Sequence, residues 1–159
     1  MRLTALCLLT TLLLVFALVA ASDSLFHEAS PLTKRDIARI HHVKGALQEA
    51  RINGVSKNVK DLCGIENYTP YIKFLGTSTV KGSICCNEFS GVYKIEPNTN
   101  IIRFEDLLMT SVGCIAAPQD DFDILKVIQN FNRIEFKDSI IILSSDSRVN
   151  IFQYQAQRN

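Results

Sequence analysis

The apolar positions change their spacing along the chain, and each change predicts an element. Leu3 to Val19 is a nearly continuous apolar run behind the single charge of Arg2, and 17 of the first 21 residues are apolar. Small residues follow at Ala20, Ala21 and Ser22. A short positive start, an apolar run and small terminal residues predict a secretory signal peptide over 1–21, with cleavage after Ala21 or Ser22. An uncleaved anchor is the rival reading, because the run nearly reaches bilayer-spanning length. Residues 22–42 read as a flexible leader with little periodicity and a dibasic pair, Lys34 and Arg35, that is a solvated charge pair or a processing site. Ile37 to Ala50 fits two patterns. Ile37, Ile40, Val43 and Leu47 have helical spacing, while Leu47, Glu49 and Arg51 ahead of Asn53 and Gly54 suit a strand entering a turn.

From Pro70 onward the pattern is that of strands between turn clusters. Tyr71 to Leu75, Val80 to Cys86, Gly91 to Ile95, Ile101 to Phe104 and Leu107 to Val112 are strand candidates. Apolar spacing then shifts to three residues at Phe122, Leu125, Ile128 and Phe131, behind Pro118, Gln119, Asp120 and Asp121. This predicts one amphipathic helix over Asp120 to Phe131, with acids where a helix amino terminus favours them. Ile134 to Phe136, Ile140 to Leu143 and Val149 to Tyr154 return to strand. The pattern therefore describes an α+β domain, a mostly antiparallel sheet with one main helix late in the chain.

Composition narrows the class of protein. The 159 residues carry 17 Lys plus Arg, 16 Asp plus Glu, five Cys and no Trp. Without the signal the apolar share is about 42%, ordinary for one globular domain, and loss of Arg2 takes the formal charge from +1 to zero. Nucleic acid is not an expected partner. No second run reaches about 18 apolar residues, so no stable membrane anchor is expected after signal cleavage. Cys63, Cys85, Cys86 and Cys114 remain in a chain sent to an oxidising compartment, which predicts two disulfides. A Cys85–Cys86 bridge is disfavoured, because neighbours on a strand point to opposite faces. Cys86–Cys114 with Cys63–Cys85, or the crossed pairing, are both left open. No CxxC pair occurs, and His27, His41 and His42 lie far upstream, so no metal site or cofactor is expected.

The segment from Gly82 to Tyr93, GSICCNEFSGVY, followed by Thr110-Ser-Val-Gly-Cys114 and an acid-rich helix, resembles the META domain family typified by the bacterial heat-inducible protein HslJ. The motif places are taken by Gly82, Cys86, Asn87, Phe89, Gly91, Tyr93, Thr110 and Cys114. The resemblance covers about Val43 to Tyr154 and places a META-like domain at 43–159. It implies a strongly bent, half-barrel sheet, and a first strand over Ala46 to Ile52 ending at Asn53-Gly54, with Leu47 near a Trp that the family usually carries. Cys85 stands where the family usually has a small residue such as Gly. Under the resemblance Cys63 becomes its natural partner, and Cys86 can tie the motif strand to Cys114. Asn87 would bond backbone where the strand turns, Gly91 would permit a bend, and Phe89 and Tyr93 would supply core or a groove wall.

Catalytic chemistry has little support in these residues. A cysteine nucleophile needs a free thiolate beside a base, and four cysteines in an oxidising compartment are expected to pair. Asp120, Asp121 and Asp123 suit helix capping better than a cation loop. There is no phosphate-binding glycine loop, nucleophile elbow or HExxH. Asn67-Tyr-Thr69 is the only N-glycosylation sequon and makes the chain a candidate glycoprotein. The expectation is a secreted, extracellular, non-catalytic module that binds an unknown protein partner, with stress response or virulence as the setting the resemblance implies. The alternative is a carrier of a small apolar ligand, with Phe74, Phe89, Phe104 and Phe131 around a cavity. A secreted enzyme is the third choice.

Overall fold

Asn53 and Gly54 both adopt positive φ, 52° and 80°, the backbone of a tight hairpin turn whose twist matches its strands. Ile52 pairs with Val55 across it. The turn joins strand β1 (Lys44–Ile52) to the short β2 (Val55–Lys57). In the computed structural model the described residues are 30–65, 67–112 and 121–157, and all but Ser30 belong to one compact unit, Pro31–Asn159. The expected signal peptide, the leader before Ser30 and Cys114 lie outside the described residues.

The segment with two readings is helix first and strand second. Helix α1 (Lys34–Ile40) starts with a capping box, in which Thr33 accepts from the Asp36 N–H and the Asp36 carboxylate accepts from the Thr33 N–H at 3.1 Å. Leu32 and Ile40 are buried, at 4% and 0% exposure. The expected flexible leader therefore ends early, and residues 31–42 belong to the packed unit instead. Their few apolar side chains dock onto a core supplied from elsewhere in the chain, which local periodicity does not reveal.

After β2 come α2 (Val59–Cys63), β3 (Tyr71–Leu75), β4 (Thr79–Ile84), β5 (Asn87–Ile95), β6 (Ile102–Met109), α3 (Asp121–Gln129), β7 (Arg133–Lys137), β8 (Ile140–Ser144) and β9 (Ile151–Gln157). The sheet order is β6-β5-β4-β3-β1-β9-β8-β7, with β2 beside β1. Every pairing is antiparallel. The two outer strands meet at one end. Ile101 bridges Arg133, the Ile134 N–H donates to the Asn100 carbonyl at 2.8 Å, and the Ile102 N–H donates to the Asn132 carbonyl at 3.2 Å. Beyond that contact α3 packs on β6 and β4. The result is the curled half-barrel with one main helix late in the chain.

Two bulges set which side chains reach the interior. On β1, Leu47 pairs with Tyr154 and Glu49 with Gln153, leaving Gln48 as an extra residue. That slip brings Ala50 and Ile52 to the buried face with Leu47. On β6, Asp106 and Leu107 stand opposite the single Gly91, with Asp106 at φ 52°. Ile101 to Phe104 and Leu107 to Val112 are thus mostly one strand, interrupted by a bulge. The ring of Phe74 meets Tyr93 edge-on at 4.8 Å, and Phe131 meets Phe152 at 5.1 Å, within the range where aromatic pairs add to burial.

Candidate functional site

Asn87 opens β5 and is only 4% exposed. Its Nδ2 donates to the Val112 carbonyl at 2.9 Å and to Asp121 Oδ2 at 2.8 Å. Its Oδ1 accepts from the Val112 N–H at 2.7 Å and from Thr110 Oγ1 at 3.0 Å. Thr110 Oγ1 in turn accepts from the Glu88 N–H at 3.0 Å. One buried amide thus joins the β4–β5 turn, the chain leaving β6 and the first turn of α3. Asp121, itself 6% exposed, is a partner of this amide, a role its place in an acidic helix start does not announce.

Cys85 and Cys86 form the turn between Ile84 and Asn87, which pair directly; they are not strand neighbours, as Val80 to Cys86 suggested. Cys85 has φ 48°, a left-handed conformation in which a Cβ is strained and glycine is not. The small residue that the resemblance implies at this place fits that backbone. Cys85 is bonded to Cys63, with Cα atoms 5.0 Å apart, so α2 is stapled to the motif turn. Cys86 is disulfide-bonded as well, while its expected partner Cys114 lies outside the described residues.

The remaining motif residues build structure. A Cβ at Gly82 would lie 2.3 Å from the Phe89 ring and 2.5 Å from the Tyr71 carbonyl oxygen; one at Gly91 would lie 2.6 Å from Leu107 Cδ2 and 2.9 Å from the carbonyls of Glu105 and Asp106. Gly82 makes room for Phe89, and Gly91 lets the β6 bulge close. Tyr93 is fully buried and donates its hydroxyl to the Gly76 carbonyl at 2.6 Å. Burial pushes its phenol up to about 12. It is core rather than groove wall, because its one polar atom is consumed inside the fold.

Phe74, Phe89, Phe104 and Phe131 are each 6% exposed or less. Of the four, Phe89 alone contributes to an open groove of about 330 Å³, which is also lined by Tyr71, Lys81, Glu88, Ser90, Leu108 and Thr110. Leu108 is 74% exposed. Burial, reinforced by the Glu88 carboxylate, raises the pKa of the Tyr71 phenol on the groove wall. The sequon Asn67 is exposed at φ 62° and borders a second open concavity with Val59, Lys60, Ile65, Tyr68 and Thr69. His41 sits edge-on to Tyr93 at 6.1 Å, and desolvation lowers its pKa. Asp123 pairs with Lys126 at 2.9 Å, and Asp120 lies outside the described residues. Among the described residues no group of three His, Cys, Asp or Glu side chains could hold a metal ion.

A half-barrel with a late helix, pinned by a Cys-Asn pair to a following Thr, defines a class of domain. The META domain family model matches residues 47–157, and the chain belongs to that family. Among curated proteins none matches the sequence. The chain is similar in fold to a solved protein from Burkholderia xenovorans, with a TM-score of 0.64 at 14% identity over 81% of this chain and 91% of that one. A second solved protein gives 0.54 at 20% identity over 75% and 93% of the two chains. A DUF4847-family protein from Bacteroides vulgatus gives 0.52 at 9% identity over 73% and 93%.

Proposed function

We propose that the protein is a secreted, non-catalytic interaction module that recognises another protein on the solvent face of β3 to β6, in a stress- or virulence-related setting. The observation that carries this reading is the contrast between interior and surface. The four phenylalanines that would line a carrier's cavity are packed in the core, while an open groove beside Leu108 faces solvent. The buried amide of Asn87 and the Cys63–Cys85 staple keep the sheet around that groove rigid, which lowers the ordering cost of binding. The apolar start of the sequence supports delivery to an oxidising, extracellular compartment.

The test is retention of partners from the native secretion fluid by the protein secreted from cells expressing the full sequence. Bound lipid is extracted from the same preparation and quantified. The reading predicts that a protein cross-links through the groove, that Leu108→Glu abolishes the cross-link, and that lipid is below stoichiometric. A stoichiometric lipid with no cross-linked protein would overturn it in favour of a carrier.

A further inference from the structure

The registers of four strand pairs align five solvent-facing side chains into one row. Lys44 stands opposite Lys73, Lys73 opposite Lys81, Lys81 opposite Ser90 and Ser90 opposite Leu108. Like charges directly opposite each other in a sheet are destabilising, so three adjacent lysines are a cost to the isolated fold. Some cations elsewhere on the protein are neutralised by a carboxylate. Lys94 pairs with Glu105 at 2.7 Å, Arg103 with Glu96 at 2.8 Å, Arg133 with Asp146 at 2.7 Å and Arg148 with Glu135 at 2.6 Å. None of the three row lysines has a carboxylate partner among the described residues; Lys44 lies over the Tyr71 ring at 4.5 Å. Two acids flank the row on this face, Glu88 opposite Ser83 on one side and Glu105 opposite Val92 on the other, the latter paired with Lys94.

We infer that this row is the docking track for an extended acidic segment of a partner polypeptide. The inference rests on the interaction reading above and supplies its chemistry. Five strands at a spacing of about 4.8 Å give a track of roughly 19 Å, the length of some six residues of extended chain at about 3.3 Å each. Carboxylates would meet Lys81, Lys73 and Lys44 in succession, and an apolar side chain at one end would lie beside Leu108 and Met109. Desolvating Leu108 supplies affinity, while the lysines supply orientation, encounter rate and discrimination. A membrane is less favoured, because surface binding to anionic lipid draws on clusters of four to eight basic residues, and here three stand beside Glu88.

The experiment uses three probes against the secreted protein. They are a fluorescent six-residue peptide with four Asp or Glu and a terminal Leu, its Asn/Gln counterpart, and phosphatidylcholine vesicles with 30% phosphatidylserine. The expected result is binding of the acidic peptide at least tenfold tighter than the amide peptide, weakening with added salt, and at least a tenfold loss in the double variant Lys73→Glu/Lys81→Glu. That variant should in turn prefer the same peptide with Lys in place of its acids, a gain that misfolding cannot produce. Equal affinity for the acidic and amide peptides would overturn the inference, as would vesicle binding through these lysines without peptide binding. If the cross-linked partner is lost on Leu108→Glu but kept on Lys73→Glu/Lys81→Glu, the groove reading stands and the acidic-segment inference falls. If neither change releases the partner, both fall.

Discussion

Replacing Asn87 tests whether the buried amide is the joint that holds the groove in place. Asn87→Ala removes two bonds with Val112, one with Thr110 and one with Asp121. Three neutral bonds at about 1 kcal/mol and one to a carboxylate at about 2 kcal/mol sum to roughly 5 kcal/mol. Val112 and Thr110 lie near solvent, and water would recover part of this, leaving a loss of about 3–4 kcal/mol. Against a typical domain stability of roughly 5–15 kcal/mol, that is a large fraction. Urea unfolding followed by tyrosine fluorescence measures it. A sharper version is Asn87→Asp, which keeps the shape but sets a second carboxyl against Asp121. One of the two must then hold its proton more tightly when folded than when unfolded. Stability gained from such a raised pKa is present in acid and lost as pH rises through the folded value.

The native protein has groups of the opposite sign. Hydrogen bonding from Thr33 lowers Asp36, and bonding from Arg133 and then Asn132 lowers Asp146. Their contribution is present above the ordinary carboxylate range and lost as pH falls. Below about pH 5 the native protein should therefore gain stability with rising pH, while Asn87→Asp gains less or reverses. A loss below about 1 kcal/mol for Asn87→Ala, together with parallel pH profiles, would refute the idea that this amide is a joint.

Three further outcomes follow from the same geometry. Removing the Cys63–Cys85 bridge as Cys63→Ala/Cys85→Ala should cost about 3 kcal/mol for a loop of this length, and Cys63→Ala/Cys85→Gly should recover about 1 kcal/mol by relieving the left-handed residue; denaturant midpoints compare the two. Gly82→Ala should destabilise by about 1–3 kcal/mol through overpacking, and adding Phe89→Leu should rescue it only in part, because the Tyr71 carbonyl remains in the way. Tyr93 binds its proton more tightly folded than unfolded, so the stability tied to it is full below pH 10 and declines as pH rises to about 12. Tyr93→Phe should flatten that alkaline limb in thermal melts, and desolvation of the fully buried Tyr154 should preserve the rest.

The readable parts of the fold were those fixed by contacts near in sequence. Tyr71 to Leu75 is a strand with those bounds, and Asn53-Gly54 is the hairpin turn its side chains favour. The three-residue spacing after Asp120 is the main helix. The half-barrel was legible only through the dense motif around Cys86 and Asn87. What stayed hidden depends on register. The bulge at Gln48 inverts the alternation of β1, and the one at Asp106 splits β6 into two apparent pieces. The Cys85-Cys86 turn lacks the Asn or Gly that usually marks one, since its strain is held by a bridge to Cys63. Lys44, Lys73 and Lys81 become neighbours only when β1, β3 and β4 are aligned, and nothing local to any of them signals the row.

The proposed function places binding on the outer sheet face and not in the interior. The most direct measurement is a nuclear magnetic resonance titration of the isotopically labelled protein with whatever protein the cross-linking test captures, followed at backbone amides and aromatic rings. Shifts should concentrate on Tyr71, Lys73, Lys81, Ser90 and Leu108, with the rings of Phe74, Phe104 and Phe131 unmoved. Shifts centred on those three rings, with the lysine row silent, would contradict it.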